Sequence, residues 1–380
     1  MNAPLVSIVI PIYNVRGYLA QTLQSVLDND LQDYEAVLVD DGSTDGSDAI
    51  MKKFARTDPR FRWTRQLNQG PSAARNTGIS KARGRYLTFL DADDLLTPDA
   101  LAAMVASLEQ SGSDVAVSPY KRFTADGREF YPPWIRAAHL QARQGVTAAQ
   151  YPAILVHTVS CSRLYRRTYW DEHLGTFEVG RLYEDHEVVG RMYPSATLDI
   201  VPNVSVLWRI RDEGTSITQR AGAENDRQFL AGIEVQLSYY AQRAPELVAP
   251  RLSQVLGRDL YGRAAHGLAA DCTAEHRTAL TEALGPIIAR LTPEIARTAP
   301  VLPRVIVLLA AAGRWDMLDQ WRTAVSVQTA LPKDARFSER FLVAFGALRE
   351  LSGALPQWAF EPPVADAVGA PSEVAALQPA

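Results

Sequence analysis

Tyr86-Leu87-Thr88-Phe89-Leu90-Asp91-Ala92-Asp93-Asp94 passes from an apolar, aromatic stretch directly into three carboxylates within four residues. The first half reads as a buried strand and the second as its polar carboxyl end. Carboxylates this close repel one another, and a cation among them relieves the repulsion. Oxygen ligands of this kind suit Mn2+ or Mg2+, which bind through one or two carboxylates together with a substrate's phosphates. The stretch therefore predicts a sheet strand whose tip holds a metal-bridged phosphate substrate.

Outward from it, Val6 to Ile12 and Ala36 to Asp40 repeat the pattern, each an apolar run followed by turn-forming residues. Between the strands lie helical patterns. Leu19, Leu23, Val26 and Leu27 share one helix face, as do Leu101, Met104, Val105 and Leu108. Ahead of the second stripe, Thr97-Pro98-Asp99 offers an N-cap, a first-turn proline and an acid suited to the helix dipole. Alternating strands and helices predict an α/β fold with a Rossmann-like, mostly parallel sheet flanked by helices. In such sheets ligands bind beyond the carboxyl ends of the strands.

From about Asn225 strand signals fade, and Phe229, Leu230, Ile233, Leu237 and Tyr240 recur at helical spacing. Further helical patterns cover Arg251 to Ala270, Glu275 to Leu291, Val301 to Ala312 and Ser338 to Leu351, with breaks near Pro250, Pro293 and Pro332. The last 26 residues hold five prolines and no lysine or arginine, which predicts an extended tail. The expected division is a catalytic domain over 1–220, a C-terminal α-helical domain over 221–354 and a flexible segment over 355–380.

The net charge of -4 gives no basic footprint, so nucleic acid is not an expected partner. With only Cys161 and Cys272, a disulfide framework or cysteine zinc site is not expected. His157, His173 and His186 show no zinc-ligand spacing either. The N-terminus lacks a basic and apolar leader, and no run reaches the roughly 18 apolar residues of a membrane span. These features predict a cytoplasmic protein, with peripheral contact at the inner face of a membrane. Gly-x-Gly-x-x-Gly after the first strand and Gly-x-x-x-x-Gly-Lys-Ser/Thr are both absent, against dehydrogenase and P-loop readings.

Two strand ends carry further chemistry: Pro11-Ile12-Tyr13-Asn14, and Asp40-Asp41-Gly42-Ser43-Thr44-Asp45. A tyrosine face can stack on a base and a carboxylate can accept a ring N–H, although each segment alone reads equally as packing or as a turn. Joined with Gly70-Pro71-Ser72-Ala73-Ala74-Arg75-Asn76-Thr77-Gly78 and the Asp91 cluster, in that order, they resemble family 2 glycosyltransferases of the GT-A fold. The resemblance covers roughly residues 5 to 215. It implies inverting transfer of a hexosyl or N-acetylhexosaminyl group from a nucleotide-diphosphate donor, first among them a UDP-sugar. The implied acceptor is a hydroxyl of a glycan, cell-wall or capsular polymer.

By that resemblance Pro11, Tyr13, Asn14 and Asp41 line the nucleoside pocket with Asp40 supporting the turn, and Arg75 lies between the base and the acidic cluster. Asp91 and Asp93 face the donor, and Asp93 and Asp94 hold the metal. In Glu184-Asp185, Asp185 is the base and Glu184 its catalytic neighbour, while Arg209 and Arg211 clamp the pyrophosphate. Read without the family, Arg75 fits an ion pair, Glu184-Asp185 a solvated helix start, and the two arginines a sheet surface. Gly70 and Gly78 read as backbone devices. The Gln-x-x-Arg-Trp motif of processive synthases is missing, which implies non-processive transfer. The helical domain is expected to present the acceptor or to join copies of the chain as a homo-oligomer. A sugar-phosphate nucleotidyltransferase and a non-catalytic carbohydrate-binding scaffold remain the alternatives.

Overall fold

The structure, a computed structural model, describes residues 3–211, 222–328, 355–361 and 363. Strands β1 (Val6–Ile12), β2 (Tyr34–Asp40), β3 (Phe61–Arg65) and β4 (Tyr86–Phe89) run parallel, with β1 between β2 and β4. The remaining strands are β5 (Leu95–Leu96), β6 (Val115–Val117), β7 (Tyr120–Phe123), β8 (Glu129–Phe130), β9 (Arg143–Val146), β10 (Arg163–Arg166), β11 (Leu198–Ile200) and β12 (Val206–Arg209). The main sheet has the order β3-β2-β1-β4-β10-β6-β11-β9, and β10 is antiparallel to both of its neighbours. A second, four-stranded sheet has the order β5-β12-β7-β8. The expected α/β class with a mostly parallel sheet is therefore the observed one.

The helices of this part are α1 (Arg16–Leu27), α2 (Ser47–Thr57), α3 (Pro71–Lys81), α4 (Ala100–Ser111), α5 (Pro133–Ala138), α6 (Arg167–Tyr169, continued by a π turn over Trp170–Leu174) and α7 (Asp185–Met192). Leu19, Leu23 and Val26 of α1 and Leu101, Met104, Val105 and Leu108 of α4 are buried, as their spacing predicts. The start of α4 differs from expectation. Thr97 donates its hydroxyl to the Val204 carbonyl, tying the chain near β5 to the approach of β12, and the helix begins only at Ala100 without a side-chain cap.

Chain order reverses between β1 and β4, the kind of switch point at which α/β sheets bind ligands. Pairing of β1 with β4 stops at Val9 opposite Phe89, whereas pairing with β2 continues to Ile12. Pro11, which has no N–H to contribute, lies beyond the end of the β4 ladder, where a proline is tolerated. Gly78 lets α3 approach β1, since a Cβ there would lie 2.3 Å from Val9 Cγ1.

The chain divides into two units, one comprising Met1–Arg220 and Val235–Leu247 and the other Ala221–Glu234 and Val248–Ala380. Helix α8 (Ala223–Arg243) contributes to both. The second unit also contains α9 (Val248–Val255), which continues through a π turn over Leu256–Leu260 into α10 (Tyr261–His266), then α11 (Ala274–Ile288), α12 (Pro293–Ala296), α13 (Val301–Ala311) and α14 (Trp315–Gln328). Pro250 does not break a helix but sits in the first turn of α9, where backbone N–H groups lack helical partners anyway. Pro293 opens α12. The helical pattern over Ser338 to Leu351 and the break at Pro332 lie outside the described residues. The start of the expected tail is held in place: Gln357–Phe360 form a 3-10 turn, Ala359 is buried, and Glu361 pairs with Arg297 at 2.8 Å. No described helix is long and apolar enough to cross a membrane.

Candidate functional site

The carboxyl ends of β1 and β2 form one interlocked turn. Asn14 takes up a left-handed conformation, φ 49°, accepts the Thr44 N–H at 2.9 Å and donates its own N–H to Ser43 Oγ at 3.1 Å. Asn14 is thus a clasp between two loops rather than an open donor contact. Asp40 is fully buried, accepts the Ser43 N–H at 2.8 Å and faces Arg65 at 3.4 Å, which fits its expected supporting place.

Asp41 is only 2% exposed and is also a clasp. One oxygen accepts from Gln66 Nε2 at 2.8 Å and the Gln69 N–H at 3.0 Å, and the other accepts the Gly70 N–H at 2.8 Å. An ionised carboxylate offers about four lone-pair sites, so one remains on Oδ2. Beside these closed groups, Tyr13 is 50% exposed and presents its ring beyond the strand end.

The acidic cluster divides differently from its sequence reading. Ligand atoms of Asp91, Asp94 and Cys161 lie within 4.8 Å of one another. Asp93, expected as a metal ligand, instead takes a forked pair from Arg211, with Nε and Nη2 both at 2.7 Å. Asp94 Oδ1 accepts the Arg209 backbone N–H at 2.9 Å, leaving Oδ2 for a ligand. Burial pushes the Asp94 carboxyl well above its ordinary range, and the charges of Asp93 and Asp91 add to the shift. Burial also raises Asp93, with Arg211 opposing. Converging, under-compensated carboxylates are the donor set a hard divalent cation needs, so the residues fit Mn2+ or Mg2+. Cys161 fits less well: burial and the neighbouring carboxylates hold its thiol protonated, and sulfur is too soft for those ions.

Arg209 and Arg211 reach the same neighbourhood, with guanidinium carbons 5.1 Å and 5.3 Å from the Tyr18 ring. Arg209 donates to the Asp93 carbonyl at 2.7 Å and to Gln21 at 2.9 Å, and stacks on Phe123 at 4.4 Å. Arg211 meets the Asp93 carboxylate and Arg209 the backbone carbonyl of the same residue, so both side chains lie on the acidic loop.

Arg75 is the hub. It projects from α3, is buried, donates to Asp91 at 2.7 Å and to Glu184, and lies over the Phe177 ring at 5.4 Å. Burial opposes its charge, but Asp91, Glu184 and Asp185 hold the guanidinium above even its ordinary high value. The ion-pair reading of Arg75 therefore describes its contacts. Glu184, expected as a catalytic neighbour, is buried as that pair's other half; burial raises its carboxyl despite Arg75, and Asp185 adds to the shift.

Asp185 opens α7 in its acid-rich first turn, and its Oδ1 is buried without a hydrogen-bond partner. The turn before it is bent by Gly180 and Tyr183, with φ of 89° and 59°. A left-handed tyrosine is a rare conformation that collects at functional sites. No local pattern signals it, nor the place of Cys161 beside the acidic cluster. His186 is buried within α7.

Residues 7–174 match the profile of the family described as glycosyl transferase family 2. The uncharacterized glycosyltransferase EpsJ of Bacillus subtilis is 36% identical over 144 residues, covering 38% of this chain and 42% of the relative. The putative teichuronic acid biosynthesis glycosyltransferase TuaG of the same organism is 35% identical over 125 residues, 33% of this chain and 50% of the relative. The chain spans less than half the length of the first curated relatives it matches, 18% for glycosyltransferase GlyA of Streptococcus pneumoniae. Among solved structures, S. aureus TarS 1-349 in complex with UDP-GlcNAc superposes with a TM-score of 0.66 at 19% identity, covering 84% of this chain and 91% of that one. This last likeness is one of fold, and the GT-A architecture implied by the motifs is the observed one.

Proposed function

We propose, from the match of residues 7–174 to glycosyl transferase family 2, that the chain is an inverting, non-processive enzyme using a UDP-sugar donor. The observation that carries the proposal is Arg75, which bonds to Asp91 in the acidic cluster and to Glu184 beside Asp185. One buried cation thereby fixes the spacing between the expected donor side and the expected base.

In this reading the Tyr13 face stacks on the base, with Pro11 beside it and the remaining Asp41 lone pair available to a ring N–H. Asp91 and Asp94 would hold Mn2+ or Mg2+. When bound, that ion supplies charge neutralisation to the departing diphosphate. Asp185 accepts the proton of the acceptor hydroxyl while the hydroxyl oxygen attacks the sugar's C1 from the face opposite the diphosphate. The C1–O bond breaks, its electron pair leaves with the diphosphate, and configuration inverts. Arg209 and Arg211 brace the acidic loop.

A cell-surface polymer as acceptor draws support from TuaG, whose name refers to teichuronic acid biosynthesis. An N-acetylhexosamine donor draws support from TarS, solved with UDP-GlcNAc. Residues 221–354 form the acceptor-presenting or self-associating part in this proposal, and the protein works in the cytoplasm at the inner membrane face.

Calorimetric titration with UDP, GDP and CDP, with and without Mn2+, tests the donor site without knowledge of the acceptor. Metal-dependent preference for UDP is expected. Absence of binding to all three nucleotides would overturn the proposal in favour of a non-catalytic scaffold, and pyrophosphate release from a nucleoside triphosphate and sugar phosphate would overturn it in favour of a nucleotidyltransferase.

A further inference from the structure

Tyr18, Gln21, Thr22 and Ser25 share one face of α1 by their spacing, and that face lies along the acidic loop. The Thr22 hydroxyl donates to the Ala92 carbonyl at 3.0 Å. Gln21 accepts from Arg209 at 2.9 Å, which in turn donates to the Asp93 carbonyl, and Ser25 Oγ accepts the Leu96 N–H at 3.0 Å. A helical serine or threonine commonly returns its hydroxyl to a carbonyl of the preceding turn, as Ser25 does to Thr22 at 2.7 Å. Thr22, which is 0% exposed, instead gives its proton to a residue 70 positions away.

What it holds is the centre of a turn. The Asp94 N–H donates to the Asp91 carbonyl at 3.0 Å, so Asp91 to Asp94 form a four-residue turn with the candidate ligands at its two ends. Such a turn brings its first and last Cα atoms within about 7 Å, which accounts for the convergence of Asp91 and Asp94, while Asp93 in third place meets Arg211. The two common turn types differ by a flip of the central peptide, here the Ala92 carbonyl and the Asp93 N–H. The flipped form needs a positive φ at the third residue. Asp93 has a negative φ, and Thr22 bonds the oxygen that a flip would turn away.

We propose that Thr22 is a positioning residue for the metal site: its buried hydroxyl locks the central peptide of the Asp91–Asp94 turn in the orientation that brings the two ligand carboxylates together. The inference rests on the reading of Asp91 and Asp94 as the metal ligands of the proposed reaction.

Thr22→Val keeps the shape of the side chain and removes the donor, whereas Thr22→Ser keeps the donor. The measurements are the Mn2+ concentration that half-saturates the enhancement of UDP affinity, amide hydrogen exchange over Asp91 to Leu95 in metal-free protein, and thermal unfolding. Groups that orient a metal's ligands are worth about 10- to 100-fold in metal affinity. Thr22→Val is expected to need about tenfold more Mn2+ and to exchange the Asp94 amide at least about tenfold faster, while its UDP affinity in EDTA stays within about twofold of wild type. Thr22→Ser should stay within about twofold of wild type in every one of these readings. Ser25→Ala, which removes the bond from the same helix to Leu96 beyond the turn, should keep the Mn2+ requirement within about twofold.

A lower unfolding temperature with an unmoved Mn2+ requirement in Thr22→Val makes the residue structural and would overturn the proposal, as would an equal rise in the Mn2+ requirement of Thr22→Ser or Ser25→Ala. Should Thr22→Val fail to fold, Thr22→Ala against Thr22→Ser poses the same comparison. If the wild type binds no UDP, or binds it equally with Mn2+ and with EDTA, the proposed function or its metal fails separately. Exchange of the Asp94 amide then decides alone: acceleration in Thr22→Val sustains Thr22 as the lock on the turn, and none removes it.

Discussion

Replacing Arg75 by methionine removes the cation shared by Asp91 and Glu184 while keeping most of the side chain's volume over Phe177. The side chain of Asp91 is 39% exposed, so water compensates much of its loss. Glu184 is 8% exposed and has no such recourse. Removing one partner of a buried pair costs about 3–5 kcal/mol, because the other charge stays behind. At roughly 2–4 °C per kcal/mol for a unit of this size, unfolding of the N-terminal unit should fall by about 6–20 °C at pH 8. The sign of the pH effect follows from Glu184, whose carboxyl burial already raises. With Arg75 gone it rises further, and the folded variant then binds a proton more tightly than its unfolded chain. Its stability is therefore highest below the ordinary glutamate value of about 4.3 and falls as pH rises through the elevated folded value. Calorimetric scans of both proteins at pH 5 and pH 8 should show a deficit that shrinks in acid. A variant within about 2 °C of wild type at pH 8, or a deficit equal at both pH values, would refute Arg75 as the electrostatic hub.

Asp185→Asn should bind UDP with Mn2+ within about twofold of wild type and lose roughly 10²–10⁴ in transfer rate; normal turnover would remove it as the base. Asp91→Asn should weaken Mn2+-dependent UDP binding more than Asp93→Asn, because Asp91 converges with Asp94 while Asp93 is taken by Arg211. The reverse order, read by titration at fixed Mn2+, would restore Asp93 as the ligand. Gly78→Ala places a methyl 2.3 Å from Val9 Cγ1 and should destabilise by about 1–3 kcal/mol in urea unfolding. Adding Val9→Ala should relieve that overlap, and identical effects of the second substitution in both backgrounds would show that the contact is not the cause.

Features written in local periodicity were legible in the chain. The Val6, Ala36 and Tyr86 runs are strands, the α1 and α4 stripes are buried, and Asp91 to Asp94 stand at a strand end. Partnerships were not legible, because they join positions with no local relation. Arg75 meets Asp91 and Glu184 across separations of 16 and 109 residues. Asp41 is closed by the backbone N–H groups of Gln69 and Gly70, donors every non-proline residue owns and no motif reports. Which groups Arg209 and Arg211 meet depends on where β12 lies beside β5. The capping role given to Thr97 failed because the helix starts later, at Ala100, while the Thr97 hydroxyl is turned towards the distant Val204 carbonyl.

The charge balance of the site bears on its need for a metal. Asp91, Asp93, Asp94, Glu184 and Asp185 bring five carboxylates, against the three guanidinium groups of Arg75, Arg209 and Arg211. With every group ionised the carboxylates outnumber these guanidinium groups, and the incoming diphosphate adds further negative charge. Two charges of one sign about 4 Å apart repel by about 4 kcal/mol at an effective dielectric constant of 20, more than a stacked base readily offsets. Protonating Asp94, whose carboxyl is already held high, would lower the repulsion but remove a ligand from the cluster. A divalent cation removes the repulsion and keeps the ligand. UDP affinity should therefore drop at least about tenfold when Mn2+ is replaced by EDTA, and the drop should shrink in Asp94→Asn, which carries one negative charge fewer. Equal UDP affinity with Mn2+ and with EDTA in the wild type would mean that the arginines alone neutralise the diphosphate, and that Arg211 leaves Asp93 to do so.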